Sequence, residues 1–242
     1  MGTWVGVGVS ACGSYGRSLW TPKQLGASAV WMRPDVADRT TVDIGGGVLK
    51  LSALTDKVGG IIQAVNSNAP TRPGIDDTGA WPAIVYAGAQ FMPFAAGQLV
   101  SAAVSHTVWC AYDATNAAGT TECLFDVQTG RFFLCHLVNA GNKSGHFDNT
   151  NAYVGIAAAA SGRQRMVWQL DNGTSKATLY RNGGSLGQGN YHGYPVGGDA
   201  AIGAAFNNSI GFNGKIYDWG WRPSLLDAAE LANLHGYLAR YA

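Results

Sequence analysis

Short strand-like runs, each closed by a turn signal, follow one another along most of this chain. Residues 106–112, for example, are rich in β-branched and aromatic side chains, and residues 83–87 end at Gly88. Glycine supplies 34 of the 242 residues, enough for many tight turns. Strands at short, regular spacing with turn signals between them are typical of an antiparallel sandwich or barrel. The sequence therefore predicts an all-β protein.

The spacing of apolar residues changes near the C-terminus. Leu231, Leu234, Leu238 and Tyr241 recur at three- and four-residue spacing, which is one face of a helix. Residues 224–227, from Ser224 to Asp227, resemble a capping box. We expect one α-helix over residues 225–240, packed on the outside of the sandwich. Side chains expected in the core are Trp31, Trp109, Phe125, Leu134, Trp168, Leu179 and Ile216.

Two β-hairpins are predicted. The first pairs residues 123–127 with 131–138, and the second pairs residues 164–171 with 177–181 through a turn at Asn172-Gly173. A two-residue turn in the first would pair Cys123 with Leu134 and turn Cys135 to the opposite face, although a one-residue change of register would reverse that. None of the cysteines forms a CxxC pair, so we expect buried free thiols rather than a disulfide or a zinc site. The four cysteines are Cys12, Cys110, Cys123 and Cys135.

Charge is sparse and balanced. Sixteen Lys and Arg face fifteen Asp and Glu, and only 13% of residues are charged. Without a basic run the surface has little attraction for a phosphate backbone, which argues against nucleic-acid binding. The start has no basic region before its Gly-broken apolar stretch, and no apolar run is long enough to span a bilayer. We expect neither Sec export nor membrane insertion.

The segment Phe212-Asn-Gly-Lys-Ile-Tyr-Asp-Trp-Gly-Trp-Arg-Pro223, together with the final helix pattern, resembles the closing strands and helix of laminin G-like domains. The hairpin beginning Met166-Val-Trp-Gln-Leu and the opening Trp20-Thr-Pro-Lys-Gln-Leu25 are also similar to that family. The usual second Trp of the opening is replaced by Leu51 or Leu54. The resemblance implies a concanavalin A-like lectin/glucanase jelly roll, of the kind found in phage virion proteins, over residues 20–242. Residues 1–19 then form a Gly-rich N-terminal arm.

Catalysis is not expected. Glycosidases need two carboxylates about 5–9.5 Å apart, and the chain has only two glutamates, Glu122 and Glu230. Glu122 and Asp126 would lie about 13 Å apart along one strand. The adjacent Asp76 and Asp77 are interpreted as turn formers.

No cofactor is expected either. Some members of the resembled superfamily hold Ca²⁺ through Asp and Asn oxygens. The nearest candidate here is the segment 146–151, with Asp148, Asn149 and Asn151. We interpret this segment as a turn instead, and predict no metal site.

Aromatic residues in the loop 187–199 are the predicted ligand contacts. Tyr191, His192 and Tyr194 lie among glycines there, and His146 and Asn149 are added from the segment 146–151. Aromatic faces stack on sugar rings. The alternative is that Tyr191 and Tyr194 fold back to cap the sandwich.

From these features we expect a phage virion structural protein, a head decoration, fibre or tail appendage that contacts host surface glycans. It would assemble in the host cytoplasm, as a homo-oligomer on the particle, with other virion proteins as partners. The alternatives are a bacterial carbohydrate-binding or adhesion module, a purely architectural domain that binds no sugar, and a glycan-degrading enzyme. In the arm, Val5, Val7 and Val9 alternate with glycine. This pattern predicts a strand that pairs with the exposed edge of a sheet. That edge belongs either to a neighbouring chain or to the same sandwich.

Overall fold

A computed structural model describes residues 20–60, 62–99, 104–115, 121–127, 132–138, 142–147, 153–193, 199–205 and 210–242. The predicted N-terminal arm, residues 1–19, lies outside the described residues.

The regular elements are nineteen described strands, one α-helix and four short 3-10 helices. The strands are β1 (Val30–Met32), β2 (Arg39–Asp43), β3 (Leu49–Thr55), β4 (Gln63–Val65), β5 (Gly74–Asp76), β6 (Ala83–Ala87), β7 (Met92–Phe94), β8 (His106–Ala114), β9 (Glu122–Val127), β10 (Phe132–Val138), β11 (Lys143–Phe147), β12 (Tyr153–Ala158), β13 (Gly162–Asp171), β14 (Lys176–Arg181), β15 (Gly184–Asn190), β16 (Ala200–Ile202), β17 (Ala204–Ala205), β18 (Ile210–Gly211) and β19 (Asn213–Arg222). The helix α1 spans Ala228–Leu238, and the 3-10 helices span Pro22–Leu25, Val36–Asp38, Ala69–Thr71 and Ala239–Tyr241.

Seventeen of the nineteen described strands form two antiparallel layers, and β17 pairs with β18 in a separate two-stranded sheet. The first sheet runs β2-β3-β5-β6-β19-β8-β13-β14-β15, with β1 beside the end of β19. The second runs β4-β7-β16-β9-β10-β11-β12. Because β4 also pairs with β3, it joins the two sheets at one corner. The predicted antiparallel β-sandwich with a single C-terminal helix is confirmed.

The core lies between the sheets and follows strand alternation. On β8, Val108, Cys110 and Tyr112 point inward, whereas Trp109 and Ala111 point to the outer face of the first sheet. All seven side chains predicted for the core are at most 3% exposed.

The helix α1 covers the outer face of the first sheet. The apolar face predicted for this segment packs inward, and Leu234, Leu238 and Tyr241 are buried. It begins three residues later than expected, because Asp227 is the N-cap and accepts a hydrogen bond from the Glu230 amide at 2.8 Å. The Glu230 carboxylate in turn accepts a hydrogen bond from the Asp227 amide, so this pair makes the capping box. No helix in the described part of the chain is long and apolar enough to cross a bilayer.

A bulge in β19 places a carboxylate beneath this helix. The pairing with β8 shifts between Ile216 and Asp218, so Ile216 points into the core while Tyr217 and Asp218 both reach the helix side. A bulge changes the side-chain alternation by one residue and is the physical reason for this placement.

The hairpin of β9 and β10 has a longer connection than predicted. Val127 pairs with Phe132, so four residues separate the strands rather than two. A bulge after Leu134 then brings the Cα atoms of Cys123 and Cys135 opposite one another, and the predicted pairing of Cys123 with Leu134 is wrong. Cys110 is a buried free thiol, as expected.

Candidate functional site

Two of the predicted ligand contacts lie inside the sandwich. His146 on β11 and Tyr191, just after β15, are both fully buried, with ring centroids 6.2 Å apart. The His146 Nε2 atom is 2.9 Å from the carbonyl oxygen of Asn190, and the Tyr191 amide donates to the carbonyl of Ser175. Tyr191 therefore takes the alternative in which it folds back onto the sandwich, and its ring offers no face to a ligand in this conformation.

Of the other three predicted contacts, the structure describes only His192. His192 follows Tyr191 and is exposed. Tyr194 and Asn149 lie outside the described residues, so their roles as ligand contacts stay predictions.

Two aromatic residues that the sequence interpretation passed over share the outer face of the second sheet. Phe147 and Tyr153 are Cα partners across β11 and β12, and their ring centroids lie 4.8 Å apart at 60°. Tyr153 is 44% exposed, and Phe147 is half-buried. Strand side chains alternate, so an inward His146 requires an outward Phe147. That alternation was the signal in the sequence.

The pair begins a row of positions on this outer face. Phe147 is the Cα partner of Phe133, Phe133 of Asp126, Asp126 of Ala201 and Ala201 of Pro93. These five positions, with Tyr153, cross six strands. Neighbouring strands lie about 4.8 Å apart, so the two ends of the row are about 24 Å from one another. Asp126, in the middle, is only 4% exposed.

A shallow groove of about 280 Å³ occupies the far end of the row. Its walls are Gln63, Val65, Pro93, Phe94, Ala95 and Gln98. The side-chain carbonyl oxygen of Gln98 accepts from the Ala95 backbone amide, and the side-chain amide of Gln63 donates to the Thr55 hydroxyl at 3.3 Å. The groove lies about 24 Å from Tyr153, so one sugar ring cannot contact both the groove and the aromatic pair.

The acidic residues considered for catalysis are held by structural partners. Asp76 accepts from Lys215 at 2.6 Å and from Thr78, and the Lys215 bond, with those from Thr78, holds the pKa of Asp76 well below its usual range. Asp77 accepts two hydrogen bonds from Arg39, which lower its pKa.

Of the two glutamates, Glu230 has structural partners and Glu122 is buried on β9. Glu230 caps the helix and forms an ion pair with Arg222 at 2.7 Å. Glu122 and Asp126 stand four residues apart on β9, and both are buried. Their spacing along the strand, about 13 Å, exceeds what a glycosidase pair needs.

The carboxylate of Asp218 is fully buried between the first sheet and α1. Its Oδ2 accepts from Trp31 Nε1 at 2.9 Å, Tyr237 OH at 2.5 Å and Tyr241 OH at 3.0 Å, while Oδ1 accepts from Trp109 Nε1 at 3.0 Å. Desolvation by burial outweighs these four donors and raises the pKa of Asp218 to about 6. With every contact made inside the protein, Asp218 ties the helix to the sheet and is closed to substrate.

Among the described residues, no three His, Cys, Asp or Glu side chains are grouped to hold a metal ion. In the segment 146–151 considered for Ca²⁺, residues 148–151 lie outside the described part of the chain.

Comparison with known proteins gives no family assignment. No protein family and no curated protein matches this sequence. Solved structures of similar shape include domain 4 of the arabinanase AbnA from Geobacillus stearothermophilus, crystallised with arabinotriose, at 15% identity and a TM-score of 0.49. That match covers 67% of this chain and 81% of the arabinanase domain.

Two further structures have the same kind of likeness. The CBM40 domain of the Ruminococcus gnavus IT-sialidase, bound to α2,3-sialyllactose, is 17% identical with a TM-score of 0.42, covering 56% of this chain and 84% of that one. The heptameric SAP-like pentraxin of Limulus polyphemus is 16% identical with a TM-score of 0.46, covering 59% and 73%. At such identities and scores, the likeness does not bear on what this chain binds.

Proposed function

We propose that this protein binds glycans on the outer face of its second sheet, where Tyr153 and Phe147 form the contact platform. The observation that carries the proposal is the 44% exposure of Tyr153 beside Phe147. Both rings project from paired strands, so they are held in place before a ligand arrives, which limits the entropy lost on binding.

The chemistry of this platform suits a sugar ring. Aromatic faces stack on the apolar C–H faces of sugars, and the Tyr153 hydroxyl adds a hydrogen-bonding edge. Asn149, one of the predicted contacts, belongs to the connection whose two ends are Phe147 and Tyr153. We keep its amide as a predicted hydrogen-bonding group.

The proposed activity is binding without cleavage. The engagement of Asp76, Asp77 and Glu230 with structural partners supports it, as does the enclosure of Asp218. The assay is release of reducing ends from any glycan that the protein binds. We expect none, and steady release that follows protein concentration would contradict the proposal.

The proposal extends to location. The chain would be a virion structural protein of a phage, exposed on the head or tail, that attaches to host surface glycans. This part rests on the sequence: the resemblance of its motifs to those of phage jelly-roll proteins and its low charge. Mass spectrometry of purified particles from a host that encodes the chain tests it. Peptides of this chain at structural copy numbers are expected, and their absence favours a bacterial adhesion module.

The binding experiment is a glycan array followed by titration calorimetry on the best ligand. Tyr153→Phe retains the ring and should keep most of the affinity, whereas Tyr153→Ala should lower it at least tenfold. Tyr180→Ala, which removes a tyrosine beside the helix on the other sheet, is the matched control and should leave binding unchanged. A wild-type protein that binds no glycan on the array contradicts the proposal.

A further inference from the structure

The hairpin of β2 and β3 carries an unusual amount of exposed apolar surface. All residues from 42 to 49 are exposed. Four of them are large and apolar: Val42 at 38%, Ile44 at 52%, Val48 at 51% and Leu49 at 46%. Scattered exposed apolar residues are ordinary, but four within eight consecutive positions form a patch that needs an explanation.

The same hairpin ends the first sheet. Among the described residues, β2 pairs with β3 and with no other strand. An apolar edge strand left open invites pairing with another strand, and proteins usually blunt or cover such an edge. Asp43, the acidic residue of the tip, accepts from the Gly45 amide at 2.7 Å and closes the turn. The tip therefore offers a mostly apolar surface.

The chain contains a segment whose pattern matches this edge. Residues 4–9, Trp-Val-Gly-Val-Gly-Val, alternate valine with glycine, and Arg17 is the single charged residue among the first nineteen. As a strand, this segment would have Val5, Val7 and Val9 on one face, whereas the other face would carry the Trp4 ring beside two glycines.

The segment can reach β2 of its own molecule. Trp20 and Trp31 both contact Tyr237, and Arg39 at the start of β2 donates to the carbonyl of Pro34. These contacts connect the start of β2, through the segment 31–34, with the point where the described chain begins. The stretch from Val9 to Trp20 spans up to about 36 Å when extended, so residues 4–9 can lie along the strand.

We propose that residues 4–9 add to the free edge of β2 in the same molecule as an antiparallel strand. The direction follows from the tether, since residue 9 must lie near the base of the hairpin and residue 4 near its tip. Val42, on β2, and Ile44, directly after its end, alternate with Asp43 and would both contact the valines. The glycines would face the side that carries the Arg39–Asp77 ion pair, where they leave room for those side chains.

Hydrogen exchange measured by mass spectrometry on the full-length chain tests this. Outward amides of β2 are protected only if another strand pairs with them. We expect peptides covering residues 39–44 to exchange at least tenfold faster in the triple variant Val5→Asp/Val7→Asp/Val9→Asp than in the wild type. Val42→Asp/Ile44→Asp should release residues 4–9 in the same way. Val36→Asp, at a position 76% exposed just before β2, is the control and should change neither region.

Three results would overturn the proposal. One is equal exchange of β2 in the wild type and the triple variant. Another is full exchange of the outward β2 amides in the wild type, which needs no variant. The third is protection that weakens on dilution while a dimer dissociates in the ultracentrifuge, because the segment would then lie on a second copy.

Discussion

The burial of Asp218 predicts an unusual pH dependence of the free energy of unfolding. Comparing the wild type with Asp218→Asn makes this dependence measurable. The pKa of this carboxyl rises from 3.8 to about 6 on folding, because burial penalises the charged form. One pKa unit corresponds to about 1.4 kcal/mol, so the full effect is about 3 kcal/mol. A raised folded-state pKa contributes stability that is complete below the unfolded pKa and is lost as pH rises through about 6.

The variant separates this effect from other titrations. The asparagine side chain cannot become charged, and its NH₂ group cannot accept from the donors around it. The best orientation places that group against Trp109 Nε1 and leaves one buried donor unsatisfied, a loss of about 1–3 kcal/mol. We expect Asp218→Asn to be less stable than the wild type by about that amount at pH 4. By pH 7.5 the difference should shrink by about 2–3 kcal/mol, so the two proteins become equally stable or change order.

Urea unfolding followed by tryptophan fluorescence at several pH values is the assay, with linear extrapolation to water. His106, whose pKa is lowered to about 4 by burial, titrates in both proteins and cancels in the difference. Asp76→Asn is the control of opposite sign, because its pKa is lowered and its contribution is lost as pH falls. If Asp218→Asn is more destabilising at pH 7.5 than at pH 4, the four donors favour the ionised form and our reasoning is wrong.

Four further changes test the packing. Trp168→Ala removes a fully buried indole and should lower the free energy of unfolding by roughly 3–5 kcal/mol in urea; a loss below about 1 kcal/mol would contradict its place in the core. Gly220→Ala would put a Cβ 1.9 Å from the Trp109 ring and should destabilise by about 1–3 kcal/mol, whereas Gly236→Ala, where a Cβ meets nothing, should not. Asp227→Ala removes the helix cap and should lower stability by about 0.5–2 kcal/mol, measured by thermal unfolding; an unchanged melting temperature would refute the capping role. Gly46→Ala, at φ 67° in the exposed tip of the β2–β3 hairpin, should be mildly destabilising through backbone strain alone, and calorimetry showing a gain would contradict this.

The sequence predicted those parts of the fold that depend on local signals. Turn residues between apolar runs marked the strands, and the spacing of Leu234, Leu238 and Tyr241 marked the helix, since each follows from the periodicity of one element. The β9–β10 register was missed because it depends on the length of the connection and on a bulge after Leu134, and neither leaves a clear signal in one sequence.

At the candidate site, too, the sequence predicted what local signals determine and missed what depends on tertiary contacts. Tyr191 was chosen because its loop groups three rings that could stack on a sugar. Its burial depends on which sheet the side chain meets, and the loop composition does not carry that information. Phe147 and Tyr153 become neighbours only when β11 pairs with β12. The alternation that turns His146 inward and Phe147 outward was available, but the choice between the two faces required the second sheet.

The central claim is that the contact platform of Tyr153 and Phe147, rather than the loop after β15, contacts the ligand. The most direct test compares Tyr153→Ala with Tyr191→Ala, measuring glycan affinity and melting temperature on the same samples. Tyr153→Ala should lose binding at least tenfold with a nearly unchanged melting temperature, because a substitution at a 44% exposed position changes stability little. Tyr191→Ala should unfold many degrees earlier, because it removes a fully buried ring. Retained binding in Tyr153→Ala, with binding lost at an unchanged melting temperature in Tyr191→Ala, would contradict the claim.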